Sequence, residues 1–135
     1  MLVRDCMSGR PVTVREDADY KDALRLMQDN SLHHVPVLDH RENLVGIVAE
    51  RDLLLAATHH MQAAVDVADV MHREVVTTTG DASVGEAAAL MVDHRVGGLP
   101  VLDAGSRVVG VITETDIFRA FVASERAAGS IPRAG

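Results

Sequence analysis

Val35-Pro36-Val37-Leu38-Asp39, followed after a polar stretch by Val45-Gly46-Ile47-Val48-Ala49-Glu50-Arg51-Asp52, recurs 64 residues further on. The second copy reads Leu99-Pro100-Val101-Leu102-Asp103 and then Val109-Gly110-Val111-Ile112-Thr113-Glu114-Thr115-Asp116. The register extends outward from these segments: Met7 aligns with Met71, Val12-Thr13 with Val76-Thr77, Asp17-Ala18 with Asp81-Ala82, Ala23 with Ala87 and Met27 with Met91. Of the 55 positions from Val3 to Ala57, 20 are identical to their partners. Repetition at a fixed period marks supersecondary units that cannot bury their apolar faces alone. Two copies imply a pseudo-twofold pair. A unit of about sixty residues is marginal by itself, so the halves are expected to pack together. The chain divides as repeat 1 (1–64), repeat 2 (65–126) and a flexible tail (127–135) rich in Ala, Gly, Ser and Pro.

Within each repeat the pattern is strand, helix, strand, strand, helix, an α/β or α+β arrangement. Val12-Thr13-Val14 and Val76-Thr77 are β-branched and suit a short strand. Tyr20, Ala23, Leu24 and Met27, and in the second copy Val84, Ala87, Ala88 and Met91, fall on one helical stripe. Asp17, Asp19, Asp81 and Ser83 stand where a helix start needs acceptors. The apolar runs 35–38 with 44–48, and 99–102 with 108–112, read as hairpin-like strand pairs around turn-prone residues. A second helix opens at Glu50 and at Glu114. Met1 to Met7 and Val65 to Met71 read as short lead-in helices, and Thr58 to Ala64 joins the halves.

The net charge of −7 is spread along the chain, which argues against a nucleic-acid backbone as partner. Two Phe, one Tyr and no Trp leave little on which bases could stack. Cys6 is the single cysteine, so no intrachain disulfide can form. Residues 1–10 lack the apolar core of a signal peptide, and no run reaches the ~18 apolar residues of a membrane span. A cytoplasmic protein, neither membrane-bound nor nucleic-acid-bound, is the expectation. The chain carries no P-loop, metal signature or nucleophile motif, so an enzyme is not expected.

The repeated pattern, an apolar-Pro-Val-apolar-Asp strand, a turn, then Gly-x-x-Thr-x-x-Asp opening a helix, resembles a tandem pair of CBS (cystathionine-β-synthase) domains, a Bateman module. The resemblance covers Val3 to roughly Val122. It implies two repeats about a pseudo-twofold axis with two clefts between them. In many members these clefts bind AMP, ADP, ATP or S-adenosylmethionine, and two modules pair into a homodimer.

The Thr-x-x-Asp element has its own chemistry. Thr113 ends a strand and Asp116 falls in the first helical turn, where free N–H groups favour an anion. Asp116 can accept hydrogen bonds from vicinal ribose hydroxyls. A capping box with no ligand is the alternative. By resemblance, the cleft of Ile112, Thr113 and Asp116 takes its adenine wall from Thr13, Ala18, Leu32 and His33. Family members often place phosphate-binding cations just before the Pro-Val strand, where this repeat has Gly97 and Gly98. The other cleft would use Arg51 and Asp52 with Thr77, Ala82 and Val96. Its Thr position is Ala49, while His33, His34 and Arg51 add cations. One cleft keeps the sugar motif and the other has the richer cation set.

Two functions follow as expectations: a regulatory module sensing an adenosyl compound, or a ligand-free interaction scaffold. His33-His34 and His59-His60 read as surface or cleft histidines, since neighbours on a strand point to opposite faces. Met27, Met61, Met71 and Met91 read as core and interface filling. The second helices, with Leu53, Leu54, Leu55, Ile117, Phe118 and Phe121, carry more apolar surface than one face can bury and are expected to form the homodimer interface.

Overall fold

The computed structural model describes residues 1–59 and 63–134; His60 and Met61 lie outside them. A short helix α1 (Val3–Cys6) leads into β1 (Val14–Arg15), α2 (Tyr20–Asp29), β2 (His34–Leu38), β3 (Leu44–Ala49) and α3 (Glu50–His59). The second half runs through a 3-10 turn (Val67–Asp69), β4 (Thr78–Thr79), α4 (Val84–His94), β5 (Gly98–Leu102), β6 (Val108–Thr113) and α5 (Glu114–Ala127). Each half is a three-stranded sheet, ordered β1-β2-β3 or β4-β5-β6, with the first pair parallel and the second antiparallel.

Local chemistry fixes the element ends. Asp19 caps α2 by accepting from Lys21 N at 2.8 Å, and Ser83 caps α4 by accepting from Glu86 N at 3.0 Å. The expected acceptors Asp17 and Asp81 instead pair with Arg15 and Arg4. Each hairpin turn is pinned by its leading aspartate. Asp39 Oδ1 accepts from Arg41 N and Asn43 N, and Asp103 Oδ1 from Gly105 N and Arg107 N, at 2.8–2.9 Å. Those bonds, led by the one from Asn43, hold the Asp39 carboxyl below its ordinary pKa. The aspartate of the Pro-Val motif is therefore a turn residue.

The first strands start two residues later than the β-branched runs predict, at Val14 and Thr78. Both are buried, exposed by 8% and 7%. Position 14 must face inward beside Val37, its parallel partner, which sets the register and leaves 12 and 13 outside the ladder.

The packing does not follow the sequence repeat. One core cluster gathers Tyr20, Met27, Val37, Val48 and Leu53 with Val67 and Met71 from the second lead-in. The other gathers Ala87, Met91, Leu99 and Ile112 with Val3 from the first. Backbone bonds make the same exchange: Val67 N donates to Ala18 O at 2.8 Å, and Val3 N to Ala82 O at 2.8 Å. Ser8 forms a reciprocal bridge with Val111, as His72 does with Ile47. Each lead-in thus completes the opposite half. The two hairpin turns also touch, where Arg107 donates to the Arg41 carbonyl at 2.8 Å.

Candidate functional site

Two clefts open between the halves, and they are lined almost residue for residue by positions 64 apart. A cavity of about 620 Å³ lies against Thr113, Glu114, Thr115, Asp116 and Arg119, with Arg10, Pro11, Val12 and Leu32 opposite. The second, of about 890 Å³, lies against Ala49, Glu50, Arg51, Asp52 and Leu55, with His72, Arg73, Glu74, Val76 and Val96 opposite. His33, His34 and Gly97 line both.

In the Thr113 cleft the helix start is closed by a reciprocal cap. Asp116 Oδ2 accepts from Thr113 N at 2.9 Å and from Thr113 Oγ1 at 3.0 Å, while Thr113 Oγ1 accepts from Asp116 N at 3.3 Å. Both bonds to the carboxylate fall on Oδ2. Oδ1 is the oxygen the cap does not use. In the Asp52 cleft Ala49 has no hydroxyl. Asp52 Oδ2 accepts from Ala49 N at 3.1 Å and pairs with His72 Nε2 at 3.2 Å. An imidazole from the opposite half stands where the first cleft has a threonine hydroxyl.

The exchange of His33-His34 for Gly97-Gly98 also has a steric meaning. A Cβ on Gly98 would lie 3.2 Å from His34 Cγ, and one on Gly97 would overlap the Glu114 carboxylate and meet His34 Cε1 at 3.2 Å. The space freed by the glycines is occupied by His34 and Glu114 of this chain. Burial pushes the His34 imidazole below its ordinary pKa, helped by neighbouring His33 and opposed by Glu114 and Asp52. His33 is exposed and sits 3.5 Å from Glu50.

Several expected site residues lie elsewhere. Ile112 is fully buried in the second core, because alternation along β6 puts Val111 and Thr113 on the cleft side and residue 112 on the other. Ala18 and Ala82 pack on the first and second cores. Thr13 and Thr77 yield their places on the wall to Val12 and Val76, one residue earlier, since the strands begin only at 14 and 78. Gly98 faces His34 and lines the Asp52 cleft, not the Thr113 one.

The sequence reading missed Arg10 and Arg119 in one cleft and His72, Arg73, Glu74, His94 and Arg95 in the other. The repeat register held the signal. Arg10 aligns with Glu74 and Arg119 with Leu55, so finding one member locates its counterpart. Arg95, like its mate Ser31, takes a left-handed backbone (φ 56° and 54°) that turns the chain from the helix end into the cleft.

Among the described residues no group of three or more His, Cys, Asp or Glu is placed to hold a metal. No described helix is long and apolar enough to cross a membrane. Burial, with Asp5 beside it, pushes the Cys6 thiol above its ordinary pKa and opposes the reactive thiolate.

Comparison with known proteins gives two matches to the CBS domain family model, at residues 3–59 and 67–123. A crystal structure of the CBS domain pair of protein MJ0100, in complex with 5′-methylthioadenosine and S-adenosyl-L-methionine, superposes with a TM-score of 0.84. It is 31% identical and covers 92% of this chain and 98% of that one. The crystal structure of CBSX2 in complex with AMP gives a TM-score of 0.81 at 27% identity, over 93% and 98% of the two chains. L-aspartate semialdehyde sulfurtransferase of Methanocaldococcus jannaschii is 31% identical over 89% of this chain, which spans only 23% of that enzyme's length.

Proposed function

This chain belongs to the CBS domain family, as a tandem pair, and from that premise we propose that it is a regulatory module holding an adenosyl compound in the Thr113 cleft. Candidate ligands are AMP, ADP, ATP and S-adenosylmethionine. The observation that carries the reading is Asp116, half-buried at the first turn of α5, with Oδ1 outside the cap and the residue lining a nucleoside-sized cavity. Vicinal ribose hydroxyls would donate to that carboxylate, a charge-assisted contact worth roughly 1.5–3 kcal/mol. Val12 and Leu32 supply apolar wall for a purine, and Arg10 and Arg119 supply cations for an α-phosphate or a carboxylate. Ligated relatives, one with AMP and one with adenosyl sulfur compounds, support the same class. Binding can signal only where two shapes of the module differ in affinity.

Thermal unfolding with AMP, ADP, ATP and S-adenosylmethionine tests the proposal. A ligand at a hundred times its Kd should add about 2.7 kcal/mol of stability. Asp116→Ala, compared with its own ligand-free form, should lose most of that gain, and Asp52→Ala should keep it. No gain with any ligand at millimolar concentration leaves the second reading, a ligand-free dimerisation scaffold. That reading draws on the exposed side chains of α3 and α5: Leu54, Leu55, Phe118 and Phe121 are 45–64% exposed. A second copy covering them would make the homodimer, with either reading of the clefts. The lone cysteine suits a cytoplasmic setting.

A further inference from the structure

The Asp52 cleft is distinguished by what titrates in it. Arg51 of α3, with Arg73 and Arg95 across the gap, faces the carboxylates Glu50, Asp52 and Glu74. Three cations meet three anions, so the fixed charges cancel. His33, His34, His72 and His94 remain, and they set the sign of the cleft. They come from three places: the entry into β2, the second lead-in and the last turn of α4. Their repeat-mates are Gly97, Gly98, Ser8 and Asn30, none of which titrates near neutrality. His33 and His34 are shared with the Thr113 cleft, whose Arg10 and Arg119 also balance Glu114 and Asp116. His72 and His94 belong to the Asp52 cleft alone.

We infer that the Asp52 cleft is a proton-gated site for a ligand bearing two or more phosphate groups, taken up when its histidines are cationic and released as they become neutral. This goes beyond the adenosyl reading and does not rest on it. The fixed arginines give bidentate geometry for phosphate oxygens but no net attraction while the carboxylates balance them. Each imidazolium adds one uncompensated positive charge to a cavity of about 890 Å³, and a polyanion offers the matching charges. The sign follows from linkage. An anion favours the protonated histidines, so binding is strong below their range and fades as pH rises through it. His72 already lies 3.2 Å from Asp52, and His33 3.5 Å from Glu50. Protonation turns those two contacts into ion pairs. Half-buried His34, whose imidazole burial holds below its ordinary pKa, has Asp52 on one side and Glu114 on the other.

Isothermal titration of inorganic triphosphate into the intact protein, at about pH 5.8 and 8.0, tests this against His72→Asn/His94→Asn. The ligand's own protonation is identical in both proteins, so their affinity ratio isolates the two histidines. Wild type should bind about ten-fold more tightly than the variant at the lower pH and within about two-fold of it at the higher. Both replaced side chains are exposed and asparagine keeps a donor; an unchanged melting temperature verifies the fold. Should the double variant melt early, His94→Asn alone carries the same comparison with a smaller ratio. Equal ratios at the two pH values overturn the inference, as does absence of triphosphate binding to wild type at pH 5.8. Asp116→Ala should leave triphosphate binding intact, so the adenosyl proposal and this one can fail separately.

Discussion

His72 does for Asp52 what the Thr113 hydroxyl does for Asp116: each occupies a carboxylate oxygen that also caps a helix. The two contacts differ in kind, since a hydroxyl is neutral at every accessible pH and an imidazole is not. Glycines at other single positions are equally specific. On Gly110 a Cβ would stand 2.6 Å from the Ser8 carbonyl and 2.6 Å from Met7 Sδ; on Gly46 the same contacts fall on His72 and Met71. A backbone carbonyl held in a reciprocal bridge cannot move aside. Gly110→Ala should therefore cost about 1–3 kcal/mol, as overpacking does. Gly9, with nothing within 4 Å of its would-be Cβ, should accept alanine within about 0.5 kcal/mol. Urea denaturation of the two variants checks the contrast. At this scale the sequence was partly legible. Thr113, Asp116, Asp52 and Arg51 announce themselves by motif. Arg10, Arg119 and His94 reach the clefts only through the fold, and no local pattern marks them.

At the level of elements the two repeats diverge in how deeply their last helices sit. Leu53 of α3 is fully buried, whereas no residue of α5 is, and Leu53's counterpart Ile117 is only half-buried. Tyr20 belongs to the first core and Leu24 packs on it, whereas their smaller counterparts Val84 and Ala88 join neither core cluster, so α3 is wrapped more fully. Leu53→Ala should cost about 2–5 kcal/mol, the range for a buried Leu. Ile117→Ala should cost less, because Ile117 keeps part of its surface in water. Chemical denaturation midpoints of both variants decide it. Helix stripes and hairpins are plain in the sequence because they rest on periodicity and turn chemistry. The two-residue strands are displaced by two positions because so short a segment has no periodicity, and its register is set by the partner strand.

For the whole molecule, Leu54, Leu55, Phe118 and Phe121, four of the eight large apolar side chains exposed among the described residues, lie on α3 and α5. Phe118 and Phe121 are 64% and 62% exposed. Light scattering coupled to size exclusion should give a dimer at micromolar concentration, and Phe118→Ser/Phe121→Ser should give a monomer that still melts cooperatively. A monomeric wild type would remove the proposed interface. The pairing of repeats was legible from their 64-residue register, but the exchange of lead-ins was not, because adjacency in sequence favours packing each lead-in on its own repeat.

That exchange bears on how such a chain can be assembled from a smaller one. A single repeat carries at its front the segment that closes some other copy's core, and lacks the one that closes its own. Alone it would be an open half. Two separate copies could close only by trading front segments, each clasping its neighbour. Joining the end of one clasped copy to the front of the next would give the present connectivity without altering a contact. Once the copies share a chain, they no longer need identical residues at the clasp. One can carry a histidine where the other keeps a serine, as at positions 72 and 8.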